Sequence, residues 1–265
     1  MGCRRHAGND QDDGPASQIQ QVYCAQAAYV RDQGLDSFPH RGGCRRVITP
    51  ALPLFSAVIL AGGYSRRMGC DKATLALETL TFVDILYAKL AAIAEDVWVV
   101  RRKEQQALLL PGVVFDLHPG QGPLAGLESG LAHCRNEWTF VIAVDAPLVR
   151  VELLQYLAQL ATQNADHNDD LSSQPITAIV PTLCGKMYPM LGVYHKSLKP
   201  VITKMLTCNR RRVSDFLDKI CVRYVPEAEW RDYDPDAVSF LMVNSPAQYE
   251  TLRMSSGGVK GDGGR

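Results

Sequence analysis

Cations and glycines converge on one stretch, Ser56–Lys72, which reads SAVILAGGYSRRMGCDK. The apolar run Ala57-Val58-Ile59-Leu60 leads into Gly62-Gly63, and Arg66, Arg67, Gly69 and the pair Asp71-Lys72 follow. Glycine lets backbone N–H groups approach phosphate oxygens with no side chain in the way. Arg66, Arg67 and Lys72 can neutralise a polyphosphate. A buried strand ending in such a loop suits a phosphate chain. Gly-Gly alone would fit a tight strand-to-helix turn with surface cations; the full string, with Arg, Gly and Asp-Lys at fixed offsets, favours the phosphate site. It is not the P-loop string G-x-x-x-x-G-K-[ST], nor the dinucleotide pattern G-x-G-x-x-G.

Two aspartates end apolar runs. Asp145 follows WTFVIAV and precedes Ala146-Pro147-Leu148. A carboxylate at a strand's carboxyl edge is a hard-oxygen ligand for Mg²⁺, which takes one or two protein carboxylates plus water and substrate phosphates. Capping the following helix is the competing role. Asp116 ends Val113-Val114-Phe115 similarly, and a turn before His118-Pro119-Gly120 is its competing role; His118 reads as a surface loop residue. Gly122-Pro123-Leu124-Ala125-Gly126-Leu127 opens a helix whose N-terminus can face an anion, or is a plain start with proline in the first turn. Arg210-Arg211-Arg212 form either a phosphate site or a solvated basic turn.

The elements that position these residues alternate. Ala57–Ala61, Val97–Val100, Val113–Phe115, Trp138–Val144 and Ile176–Val180 read as strands. Thr81–Ile93, Leu124–Cys134 and Val151–Thr162 have helical spacing, and a further helix runs through Leu206. Nearly all the strands are apolar throughout, which predicts an α/β fold, a mostly parallel sheet covered on both faces in three layers. In such sheets ligands bind at the carboxyl ends of the strands. The pattern predicts one domain over 54–253. Residues 1–53 read as a disordered N-terminal extension with a short helix at Gln18–Tyr29, and residues 254–265 as a flexible tail.

The string L-A-G-G-x-S-R-R-M-G-x-D-K resembles the signature of the molybdenum cofactor guanylyltransferases, which have a Rossmann-like nucleotidyltransferase fold. D-x-P after the Asp145 strand and GPLAGL match the same family. The resemblance implies that Leu60, Ala61, Gly62 and Asp116 contact GTP. It implies that Lys72 and Arg67 stabilise the triphosphate and the departing pyrophosphate, and that Asp145 holds Mg²⁺ and touches GTP. Cytidylyl-transferring relatives tend to read L-A-A-G here, so Gly62 points to guanine. Lys186–Pro189, the segment Arg211-Arg212-Val213 to Leu217, and Asn244-Ser245-Pro246 are weaker matches. Met242 stands where the family has asparagine, and Arg101-Arg102-Lys103 replace another nucleotide-contacting asparagine; the basic residues either meet phosphate or are surface.

The implied reaction moves GMP from GTP to the phosphate of molybdenum-molybdopterin and releases pyrophosphate. It needs alignment, Mg²⁺ and cations, with no general base. The implied partners are cofactor-synthesis proteins and acceptor molybdoenzymes. The alternatives are a related transferase using CTP or a sugar phosphate, and a nucleotide-binding module without chemistry; intact Asp71-Lys72 and Asp145 argue against the latter.

Composition sets outer limits. A net charge of zero and a pI near 7.0 argue against a general nucleic-acid binder. No apolar run of membrane-spanning length and no secretory signal is visible, so a cytoplasmic location is expected. The eight cysteines form no C-x-x-C pair, so neither a zinc site nor a redox motif is supported.

Overall fold

β-Branched and aromatic runs build the central sheet. The structure, a computed structural model, describes residues 54–65, 68–105, 107–166 and 175–257. The expected extension over 1–53, with its helix at Gln18–Tyr29, lies outside the described residues, as do residues 258–265 of the expected tail.

Among the described residues the chain order is β1 (Phe55–Leu60), β2 (Ala76–Leu77), β3 (Leu80–Thr81), α1 (Phe82–Ala91), β4 (Asp96–Arg101) and β5 (Val113–Phe115). Then come α2 (Pro123–Leu131), β6 (Trp138–Ala143), α3 (Val151–Asp166), β7 (Ala178–Leu183), β8 (Lys186–Met187) and β9 (Leu191–His195). The last are α4 (Lys199–Thr207), α5 (Val213–Leu217), β10 (Val222–Val225), α6 (Glu227–Trp230) and α7 (Pro246–Gly257). α7 continues past residue 254, where a flexible tail was expected. Once begun at Pro246, a helix adds one hydrogen bond per residue, and it runs on to Gly257.

The sheet has the order β10-β7-β9-β6-β1-β4-β5, with β8 paired to β7. β1 pairs in parallel with both β4 and β6, and β5 and β10 also join in parallel. β9 runs antiparallel to β6 and β7. This reversal follows from the tight β7–β8 turn at Cys184-Gly185, where both residues have positive φ.

Alternation along β1 feeds two cores. Ala57 and Ile59 pack in the cluster with α1 and α3, while Val58 points to the α2 side. α2 and α4 bury Leu124, Leu127, Ile202 and Met205 on that second face. The result is the three-layer arrangement expected of apolar parallel strands. α2 lies very close on β1: a Cβ added at Gly130 would fall 2.5 Å from Cγ1 of Val58. The chain runs outward from β1 to β4 and β5, then returns to β6 on β1's other side. The connections leaving β1 and β6 therefore diverge, and a crevice opens at their carboxyl ends.

Candidate active site

A cavity of about 330 Å³ occupies that crevice. Leu60, Ala61, Gly62, Lys72, Asp116 and Asp145 all line it, so six positions chosen from sequence, spread over 86 residues of chain, meet in one place. Gly122, Pro123 and Gly126 of the GPLAGL string line it too. Gly122 has φ 83° and caps α2 without a side chain, so no Cβ stands between the helix N-terminus and the cavity.

Lys72 and Asp145 form the polar heart of the site. Lys72 Nζ donates to Asp145 Oδ2 at 3.1 Å and to Asn244 Oδ1 at 2.8 Å. Asp145 does not cap a helix, since α3 begins six residues later. Its loop is braced on three sides. Val243 N–H donates to the Asp145 carbonyl at 2.8 Å. Buried Lys89 of α1 donates to the Val149 carbonyl at 3.0 Å. Arg150 pairs with fully buried Asp234 at 3.1 Å, whose carboxylate also accepts the N–H groups of Val238 and Ser239. These contacts draw the segment ending in Asn244 onto the Asp145 loop. Asn244 was visible in sequence only through its match to N-S-P. Lys89 carried a plainer signal, because it lies on the apolar helical stripe set by Ile85, Leu86 and Leu90.

Asp71 and Arg101 set the Lys72 backbone. Lys72–Thr74 is a short 3₁₀ turn capped by Asp71, whose Oδ1 accepts the Ala73 N–H at 3.1 Å. The other Asp71 oxygen takes Nη2 of Arg101. Arg101 was expected to meet phosphate or lie at the surface; its side chain is instead 2% exposed. β4 extends one residue further than predicted, and Val97, Val99 and Arg101 share its inward face. Burial pulls the guanidinium below the ordinary arginine range, and the Asp71 charge opposes this. Arg102 donates through Nε to the Gly62 carbonyl at 2.9 Å.

Asp116 makes the local turn and also faces the cavity. Its Oδ1 accepts the His118 N–H at 2.9 Å in a local turn, and the residue lines the cavity. Burial raises its carboxyl pKa, with the His118 N–H opposing. His118 is a partly exposed loop residue, and its Nε2 reaches Oε2 of buried Glu128 at 3.3 Å.

Three carboxylates line the cavity: Asp71 is taken up by Arg101 and the Ala73 N–H, Asp116 accepts the His118 N–H, and Asp145 faces Lys72. Among the described residues no three His, Cys, Asp or Glu side chains gather as a metal site. One hard oxygen donor with open cavity beside it suits Mg²⁺, which fills its remaining positions with water and phosphate oxygens. It does not suit zinc, which needs three or four protein ligands. Arg66 and Arg67 lie outside the described residues. Arg210, Arg211 and Arg212 are exposed between α4 and α5, and none of them lines the cavity. No helix among the described residues is long and apolar enough to cross a membrane.

Known proteins carry the same organisation. The MobA-like NTP transferase domain matches residues 57–224. A protein of Carboxydothermus hydrogenoformans named "Probable molybdenum cofactor guanylyltransferase" is 33% identical over 197 residues, covering 74% of this chain and 94% of its own. A protein of Bacillus cytotoxicus with the same name is 30% identical over 203 residues, covering 74% and 95%. The crystal structure of molybdopterin-guanine dinucleotide biosynthesis protein A from Archaeoglobus fulgidus superposes with a TM-score of 0.64 at 24% identity, over 76% of this chain and 98% of that one. 2-C-methyl-D-erythritol 4-phosphate cytidylyltransferase from Thermus thermophilus superposes with a TM-score of 0.57 at 16% identity, over 77% and 99%. Both superpositions show the nucleotidyltransferase fold. The family model spans residues 57–224, and the chain belongs to the MobA-like NTP transferase family, with the molybdenum cofactor guanylyltransferases.

Proposed function

We propose that this protein transfers the GMP moiety of GTP to the terminal phosphate of molybdenum-loaded molybdopterin. The observation that supports this most is the meeting of Lys72 and Asp145, 73 residues apart, in the cavity lined by Leu60–Gly62. The guanylyltransferase names of the relatives supply the nucleotide and the acceptor.

An oxygen of the molybdopterin phosphate attacks the α-phosphorus. The bond to the bridging β-oxygen breaks, and pyrophosphate leaves with the electron pair. The attacking phosphate is already ionised near neutral pH, so no protein base is needed. Lys72 places a cation against the triphosphate and the departing pyrophosphate, and Asn244 holds its ammonium from the other side. Arg67 is assigned to the same phosphates. Leu60, Ala61, Gly62 and Asp116 hold the nucleoside end. Asp145 would hold Mg²⁺, which when bound neutralises phosphate charge and makes the α-phosphorus more electrophilic. The work takes place in the cytoplasm, with cofactor-synthesis proteins supplying the acceptor and molybdoenzymes receiving the product.

A pyrophosphate-release assay with GTP, CTP and ATP, each with and without molybdopterin, tests the proposal. Release is expected with GTP plus molybdopterin alone. Equal turnover of CTP would move the assignment to a cytidylyltransferase. GTP binding without release would leave a nucleotide-binding module. Asp145→Ala should abolish release while the far-ultraviolet circular dichroism spectrum stays unchanged.

A further inference from the structure

The loop Ala61–Gly63 is gripped from outside the cavity. Gln105 Nε2 donates to the Ala61 carbonyl at 3.0 Å, and Arg102 Nε donates to the Gly62 carbonyl at 2.9 Å. Gln105 Oε1 accepts the Arg102 backbone N–H at 2.8 Å, so the two side chains act as a unit. Along an extended strand, successive carbonyls point to opposite sides. Here two in succession face the 102–105 turn. In a trans peptide the C=O and the following N–H point in opposite directions. The N–H groups of Gly62 and Gly63 therefore both face away from that turn. Both glycines line the cavity, and no acceptor among the described residues takes either N–H.

Building on the GTP reading proposed above, we infer that Arg102 and Gln105 are positioning residues for base selection. By pinning two peptide planes they aim two adjacent N–H donors at the base edge of the nucleotide. Guanine offers two adjacent acceptors there, O6 and N7. Adenine puts an amino donor in place of O6. Two fixed N–H donors thus satisfy guanine and oppose adenine donor to donor. The phosphate chain has its own cation in Lys72, which leaves the loop donors to the base. Tyr64 completes the shelf. Its ring lines the same cavity, is about half exposed, and carries the Arg102 guanidinium at 4.0 Å from its centroid. That stack holds the planar guanidinium in the orientation from which Nε reaches Gly62.

Calorimetric binding of GTP and ATP to the full chain and to Arg102→Ala, Gln105→Leu and Arg102→Lys tests this. The unmutated protein should prefer GTP. Arg102→Ala and Gln105→Leu should each lose about 10-fold in GTP affinity, with ATP affinity changed by no more than about 2-fold. Arg102→Lys keeps a donor for the Gly62 carbonyl and should recover part of the GTP preference. An equal loss for both nucleotides, or an unchanged preference in both variants, would overturn the positioning role. If Arg102→Ala fails to fold, as read by thermal melting, Gln105→Leu decides the matter alone. An unmutated protein with no GTP preference would overturn the GTP reading, and this inference with it.

Discussion

Replacing Asp71 by alanine would strand a buried cation. Arg101 is 2% exposed; among the described residues its Nε and Nη1 have no hydrogen-bond partner, and Nη2 is bound to Asp71. Removing one partner of a buried ion pair costs about 3–5 kcal/mol. Asp71 is 21% exposed, so water reaches the pair and the lower end, about 3 kcal/mol, applies. Loss of the cap on Ala73 adds about 1 kcal/mol. Together these predict that Tm falls by about 8–16 °C for a folded unit of this size. Asp71→Asn keeps the cap acceptor but not the charge, and should fall between. The double variant Asp71→Ala/Arg101→Met removes the cation as well, and should sit about 1 kcal/mol below the parent, the loss of the cap alone. Thermal and urea unfolding followed by circular dichroism measure all four proteins. If Asp71→Ala melts within about 2 °C of the parent, or the double variant is no more stable than the single one, the charge-brace account of Asp71 is wrong.

The remaining expectations are shorter. Lys72→Gln should lower kcat/KM for GTP about 100-fold, the scale of losing one preorganised charge on the reacting phosphates, and an unchanged value would remove Lys72 from the site. Gly130→Ala should destabilise the fold, because the new methyl would lie 2.5 and 2.7 Å from the two γ-carbons of Val58 in the central strand. Contacts this short put the overpacking in the upper part of the about 1–3 kcal/mol range, above the ~1 kcal/mol of helix propensity gained, and Val58→Ala in the same chain should recover part of the loss in urea titrations. Burial raises the Asp116 pKa, so as pH falls this acceptor protonates earlier than an ordinary carboxylate. GTP affinity should therefore weaken on acidification, and Asp116→Asn should flatten the pH profile of Kd; an identical profile in both proteins would take Asp116 out of nucleotide binding. The same raised pKa means that ionising Asp116 costs the fold stability as pH rises through it.

Much of the site could be read from the chain because its landmarks are local. Ala57–Leu60 is apolar throughout because β1 is flanked by β4 and β6 and covered on both faces. Asp145 is conspicuous as the first charge after a strand of six residues, Trp138–Ala143, that is buried almost throughout. Arg101 was misread because Arg-Arg-Lys looks like a solvated run. The clue was parity, since Val97, Val99 and Arg101 fall on one face of the strand. The reversed direction of β9 was hidden in a turn that only two positive-φ residues define. Asn244 was harder still. Its contact with Lys72 depends on the buried Arg150–Asp234 pair and on Val243 docking at Asp145, none of which leaves a periodic mark in sequence.

The Lys72–Asn244 contact also sets an order of assembly during synthesis. The two residues are 172 positions apart, and at roughly 5–20 residues per second Lys72 is made about 9–34 s before its partner. β4, β5, β6 and Asp145 are all made within that interval, so over its last 99 residues, about 5–20 s, these three strands, β1 and both charged groups are on hand. The nascent chain thus holds the loop and both charged groups while one of Lys72's two acceptors does not yet exist. The Asp145 side of the cavity reaches its final form only when the strap carrying Val243 and Asn244 closes over the Asp145 turn, one of the last steps in making the described chain.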